Sequence, residues 1–336
     1  MKALVITDKN TPLVVQELAD LKAGPGEAIV RIHAASLNHR DVWIQKGQYS
    51  GLKYPIVPGS DGAGVVVEAV KDQNASTLED WTGKEVIINP SLLWGQTSAY
   101  QDQKTFRILG LPDNGTLAEY VKVPIGNLVE KPAHLSFEEA AALPLAGVTA
   151  YRAAMTRARV QAGEKVLITG IGGGVALFAF QFALAAGALI YVTSGRDEKL
   201  DKATAMGATG AVNYNKADWV HRLREQAGDF DVTIDGAGGD GINDLLDLAA
   251  PGSRIVLYGA TRGNPSNLVA RRIFWKQLNV LGSTMGSPAD WTGLVDFVGL
   301  HKVTPGVSGV FSLEQGSDAF ALMERGGQFG KIVLKA

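Results

Sequence analysis

From Val166 to Gly195 the chain carries no charged residue, and this run narrows the available folds more than any other feature. It is long enough for a membrane helix, which needs about 20 apolar residues. Glycines at 170, 172, 173 and 174 break its first third, however, and Gly187 breaks the last. The helix that remains, Val175 to Ala186, spans about 18 Å, short of a hydrocarbon core of about 30 Å. The run therefore reads as strand, glycine turn, buried helix and second strand, and no membrane span is expected.

The turn itself, Val166-Leu167-Ile168-Thr169-Gly170-Ile171-Gly172-Gly173-Gly174-Val175-Ala176, points to a dinucleotide. Glycine there permits a tight turn, close approach of a pyrophosphate to backbone N–H groups, and close packing of helix on strand. The helix N-terminus adds partial positive charge. A structural turn can also be glycine-rich, and the strand before and helix after it favour the cofactor. Gly170, Gly172, Gly173, Gly174 and Val175 are the candidate contacts. No Gly-Lys-Ser/Thr follows, which excludes a nucleotide triphosphate loop of that type.

An NAD site would place a carboxylate about 20 residues past the glycines, on the ribose 2′-hydroxyl. Thr193 and Ser194 stand there instead, with Arg196 and Lys199 just beyond. Hydroxyls and cations suit a 2′-phosphate that a carboxylate would repel. The expected cofactor is NADPH, held by Ser194, Arg196 and Lys199, although Asp197 leaves a ribose contact open.

Around this unit the chain has two grammars. Up to about residue 125, runs rich in β-branched residues (Leu13–Val15, Ala28–Ile32, Gly64–Val70, Glu85–Ile88) alternate with Gly, Pro, Asn and Asp clusters, which predicts a mostly β, barrel-like domain. Pro90 to Gly115 reads as a surface excursion. Ser136 and Glu139 make a capping box for a helix from Phe137 to about Arg157. From Lys165 strands and helices alternate, giving an α/β class with a parallel, doubly wound sheet. The expected domains are 1–125, completed by 266–336, and 126–265.

The chain has no cysteine, which removes disulfides, thiolate nucleophiles, iron–sulfur clusters and Cys-based zinc sites. No two of its five histidines stand at i, i+4. With 32 basic and 34 acidic residues and no long like-charge block, no nucleic-acid or anionic-membrane partner is expected. The strings Tyr49/Lys53 and Tyr100/Lys104 precede the glycine turn, whereas short-chain reductases place their Tyr-x-x-x-Lys pair well after it.

Four ordered motifs now carry a family resemblance: Asn38-His39-Arg40-Asp41-Val42-Trp43, Pro58-Gly59-Ser60-Asp61-Gly62-Ala63-Gly64, Leu143 to Tyr151, and the glycine turn. Together they resemble the medium-chain dehydrogenase/reductase superfamily over essentially the whole chain. The resemblance implies a GroES-like β-barrel domain, an inserted Rossmann domain of doubly wound parallel sheet, and an active site in the cleft between them. It also implies a homodimer through the Rossmann sheet edge near Leu278 to Ser283, and a cytoplasmic enzyme.

Zinc-dependent members bind their catalytic metal through Cys, His and Cys; here Asn38, Ser60 and Leu145 stand at those positions. The cysteines of the structural zinc are missing as well. The chain therefore looks like the zinc-free quinone oxidoreductase branch, with no metal expected, although His39, Asp41 and Asp61 leave a recruited metal open. Without a Lewis acid, the substrates expected are quinones or α,β-unsaturated carbonyls, whose developing charge hydrogen-bond donors can stabilise.

By resemblance, Asn38 is a substrate-side donor, Tyr49 a pocket residue able to donate a hydrogen bond or proton, and Trp43 a surface on which a flat substrate stacks. Thr149 matches a threonine near the nicotinamide and Tyr214 a tyrosine near the 2′-phosphate. Gly259, Ala260 and Thr261 end a strand at the cofactor edge. Phe329-Gly330-Lys331 matches the closing segment, with Lys331 a phosphate contact. The alternatives are an alcohol or carbonyl dehydrogenase with a recruited metal and a non-catalytic NADPH-binding protein.

Overall fold

The charge-free run folds as strand Lys165–Ile168, helix Gly174–Ala185 and strand Leu189–Ser194 in a computed structural model that describes residues 1–72 and 80–336. The helix is apolar except for Gln181 and is buried through most of its length; Phe178, Phe180 and Phe182 are all in the core, and Leu184 and Ala185 emerge at its end. No helix among the described residues is long and apolar enough to cross a membrane.

These elements belong to a unit formed by residues 147–286. Its six strands are all parallel, in the order 210–213, 189–194, 165–168, 230–235, 249–257, 279–282. Numbered along the chain, that is 3-2-1-4-5-6, the order of a dinucleotide-binding sheet whose ligand lies beyond the carboxyl ends of the strands. Tyr191 meets Phe230 edge-on at 5.3 Å in its core. Strand Asn279–Gly282 is an edge strand with three of its four residues exposed.

The second unit joins residues 1–146 to 287–336. Its main sheet runs 307–312, 331–335, 27–36, 61–69, 85–88, 128–130, and strand 120–124 also pairs with 27–36. Among the described residues of this sheet, only the 307–312/331–335 pair is parallel. Strand 331–335 places Leu334 beside Ala35 and Val333 beside Ser36, so the far end of the chain completes a sheet begun near its start.

Both domain boundaries lie later than the sequence indicates. Helix Phe137–Ala142 is tied to the β unit, because Ser36 Oγ donates to Ala141 O at 2.9 Å and Leu145 N donates to Asp61 Oδ1 at 2.8 Å. Strand 279–282 pairs with 249–257 and so belongs to the parallel sheet. The helix expected to run unbroken from Phe137 is three segments: 137–142, 144–151 and a π-helical turn over 152–157. Pro144 has no N–H to continue the first segment. The capping box does form, with Glu139 N donating to Ser136 Oγ at 3.2 Å and Ser136 N to Glu139 Oε2 at 2.9 Å.

Candidate functional site

At the glycine turn, Gly170 (φ +67°) and Gly172 (φ +110°) take backbone angles that side chains rarely adopt. Gly173 is the N-cap of the helix, and no side chain caps it. The first N–H groups of that helix, including those of Gly174 and Val175, have no intrahelical acceptor, which is the arrangement that binds phosphate. Ile171 N donates to Thr193 O at 2.8 Å, which stitches the turn to the end of the next strand.

Lys199 lies over this turn: a Cβ on Gly172 would be 2.7 Å from its Cδ and 3.2 Å from its Nζ. Burial, reinforced by neighbouring Arg196, holds its ammonium pKa below the ordinary lysine value. Ser194 is buried and accepts from Arg196 N at 3.3 Å, while the Arg196 side chain is exposed, 3.7 Å from Glu198. Asp197 accepts from Asn213 Nδ2 at 2.6 Å. Tyr214 has its hydroxyl against Gly195, where a Cβ would meet it at 2.9 Å, and the Arg262 guanidinium lies 5.3 Å from its ring centroid. Gly259, Ala260 and Thr261 are exposed at the end of strand 249–257. Thr149 is buried with its hydroxyl 4.0 Å from Met285 Sδ.

The β unit holds a second polar cluster, built where strands 27–36, 61–69 and 331–335 come together. Asp61, fully buried, accepts from Lys331 Nζ (2.9 Å), Asn38 Nδ2 (2.9 Å) and Ser36 Oγ (3.1 Å) through Oδ2 and from Leu145 N through Oδ1. Lys331 Nζ also donates to Asn38 Oδ1 at 2.6 Å. The sequence reading puts Lys331 on a cofactor phosphate; that expectation is corrected, because the side chain is 3% exposed and its ammonium is committed to Asn38 and Asp61.

Next to this cluster, Asp41 accepts from Asn38 N (2.8 Å) and Gly59 N (3.2 Å), and burial pushes its carboxyl above the usual aspartate range. Arg40 donates through Nη1 to Ser60 Oγ (2.7 Å) and Leu109 O (2.8 Å), and through Nε to Tyr49 Oη (3.4 Å). Its guanidinium carbon is 5.0 Å from the Tyr49 ring centroid. Trp43 is half-buried, its ring 6.2 Å from that of His39. Phe329, also half-buried, donates from its backbone N to Ser308 Oγ at 3.2 Å. Residues of the 90–115 excursion line a cavity of about 680 Å³ with Asn127, Trp291 and Val295.

Three residues matter more than the sequence suggests. Asp61 is the centre of the buried cluster, Arg40 anchors Ser60 and Tyr49, and Arg262 covers Tyr214. Arg262 had a legible signal, a cation directly after the strand end at Gly259–Thr261. Among the described residues, no three His, Cys, Asp or Glu side chains are grouped to hold a metal ion.

Comparison with known proteins agrees with this architecture. Residues 24–133 match the alcohol dehydrogenase GroES-like domain, and residues 174–299 match the zinc-binding dehydrogenase family. The chain is 34% identical to the zinc-type alcohol dehydrogenase-like protein YogA of Leptosphaeria maculans, over 96% of this chain and 94% of that one. It is 30% identical to quinone oxidoreductase-like protein 2 of Rattus norvegicus, over 99% and 91%. A crystal structure of an NAD-dependent alcohol dehydrogenase superposes with a TM-score of 0.92 at 38% identity, covering 100% of both chains. The fold is a GroES-like domain with a Rossmann domain of parallel sheet. The chain belongs to the medium-chain dehydrogenase/reductase superfamily, whose members are oxidoreductases that bind a nicotinamide cofactor.

Proposed function

We propose that the protein is a zinc-free, NADPH-dependent reductase of quinones or α,β-unsaturated carbonyls. The observation that carries this reading is the Lys331 ammonium, which sits between Asn38 and Asp61. The donors around it, an amide, a hydroxyl and one carboxylate already paired with a cation, do not suit a catalytic zinc. The glycine turn fits a pyrophosphate, with open backbone at Gly173 and a helix N-terminus behind it. Ser194, Arg196 and Lys199, with Tyr214 and Arg262, favour a 2′-phosphate on the ribose.

Bound, the cofactor supplies the hydride. Asn38 and Tyr49 then serve the substrate's oxygen as hydrogen-bond donors, and Trp43 offers an aromatic face. Gly170, Gly172, Gly174 and Val175 hold the pyrophosphate, and Thr149, Gly259, Ala260 and Thr261 border the nicotinamide side.

The test is cofactor oxidation by chelator-treated protein against a panel of quinones, enones, aldehydes and ketones. Turnover of quinones or enones that survives chelation is expected. Activity restored only by zinc overturns the zinc-free assignment, and tight NADPH binding without any turnover favours a binding protein. A second reading, an NAD-dependent alcohol dehydrogenase, is favoured by the name of the solved relative at 38% identity. It predicts NADH-linked turnover of simple alcohols.

The same reading includes a cytoplasmic homodimer. Edge strand 279–282 has no strand on its outer side, where Gly282 O accepts from Arg157 Nε at 3.1 Å, and Phe274 and Trp275, beside it in sequence, are 63% and 76% exposed. A second copy adding across that edge would cover both.

A further inference from the structure

We infer that Lys331 is a positioning residue for the reduction: with Asp61 it clamps the Asn38 carboxamide, fixing its orientation and polarising its second N–H as the donor to the substrate's oxygen. The inference rests on the reading above and adds to it the group that makes Asn38 effective.

The donor inventory settles the orientation of the amide. A lysine ammonium only donates, so its 2.6 Å partner on Asn38 is the amide oxygen. An ionised carboxylate only accepts, so the 2.9 Å partner of Asp61 Oδ2 is the amide nitrogen. A flipped amide would put N–H against ammonium and oxygen against carboxylate, two repulsive contacts in a buried site. Asn38 is thus locked in one orientation by charges of opposite sign at its two ends.

The cation also sets donor strength: on the amide oxygen it draws electron density from the nitrogen and leaves the remaining N–H a stronger donor than that of a free asparagine. The carboxylate's part is to hold the amide in that orientation. Low dielectric keeps the effect from being screened: Asp61 is 0% and Lys331 3% exposed.

Local structure holds Asn38 in place from the backbone side as well. It is the N-cap of helix His39–Gln45, with extended backbone angles, and its N–H donates to Asp41 Oδ2. The clamp draws on three strands, since Asn38 lies two residues past strand 27–36, Asp61 opens strand 61–69 and Lys331 opens strand 331–335. Residues 293 positions apart meet at the amide oxygen. In a chain without zinc ligands at these positions, the buried positive charge comes from its own ammonium.

A double-mutant cycle tests the inference, with Asn38→Leu, Lys331→Met and the pair, scored by kcat and cofactor KM. Each single variant is expected to lower kcat about tenfold or more with cofactor KM unchanged, and the pair to lose no more than Asn38→Leu alone. Losses that multiply in the pair mean that Lys331 does not act through Asn38, and overturn the inference. Undiminished kcat in Asn38→Leu overturns it too, and decides the matter if Lys331→Met does not fold. A second readout needs no turnover: in ¹⁵N-asparagine-labelled protein, the side-chain resonances absent from Asn38→Leu report this amide. Two well-separated, slowly exchanging protons are expected, and a rapidly exchanging pair overturns the clamp. Failure of every quinone and enone with the clamp intact would overturn the substrate reading instead.

Discussion

Gly172 and Lys199 touch: a methyl group at Gly172 would stand 2.7 Å from Lys199 Cδ. Alanine there meets two obstacles, a φ of +110° and the lysine stem. Backbone strain of this kind costs about 1–3 kcal/mol. Gly172→Ala is expected to weaken NADPH binding about tenfold or more, as measured by fluorescence titration, while circular dichroism shows the fold retained.

The depressed pKa of Lys199 makes cofactor binding sensitive to alkaline pH. Burial, then Arg196, favours the neutral amine in the free protein. A phosphate needs the charged form, so affinity falls as pH rises through the free-protein pKa, which lies below the ordinary lysine value of about 10.4. Titrations of NADPH between neutral pH and pH 10 should show this decline. Lys199→Met should bind more weakly at neutral pH and lose the lysine's part of the slope.

On the proposed NADPH reading, Arg262, whose guanidinium lies 5.3 Å from the Tyr214 ring centroid, discriminates between the two nicotinamide cofactors. Arg262→Ala is expected to lower kcat/KM for NADPH about tenfold, the size of one charge-assisted phosphate contact, and to leave NADH nearly unchanged. Equal losses with both cofactors would remove Arg262 from 2′-phosphate recognition.

Arg254 ties strand 249–257 to the segment before strand 165–168. It donates to Ala158 O at 2.7 Å and to the Glu164 carboxylate, and both members of that charge pair are half-buried. Arg254→Met removes this donor from the carbonyl and leaves the carboxylate with Gln161 N alone, at 2.8 Å, at a cost of about 1–3 kcal/mol. A lower urea midpoint with an unchanged slope is expected.

The exposed strand edge predicts an assembly defect. Val280→Arg adds a charge to strand 279–282, and Trp275→Ser removes the most exposed aromatic beside it. Sedimentation should show dimers for the native chain and monomers for the double variant.

The parallel-sheet unit is legible in the sequence because its signals are local. Most strands are short β-branched runs and each connection holds a helix, so the expected strand 254–258 appears as residues 254–257, the last part of a longer strand 249–257, and helix 242–248 has the expected bounds. The 288–301 helix had an equally local signal in Ser287-Pro288-Ala289-Asp290, a capping box with proline at N1, which the reading of the tail does not use. The site divides in the same way. The glycine turn is contiguous and could be read, whereas the partners of Lys331 lie 270 and 293 positions away. Its match to the family's closing segment implied a phosphate contact, and only the pairing of strand 331–335 with strand 27–36 shows that the ammonium turns inward.

That pairing also sets an order of assembly. During synthesis at about 5–20 residues per second, residues 147–286 are complete before strand 331–335 leaves the ribosome. The inserted unit can therefore fold while the β unit still lacks a strand and the carboxylate of Asp61 lacks its counter-charge. Nascent chains arrested just before Lys331 would hold a finished parallel-sheet unit and an unfinished antiparallel one.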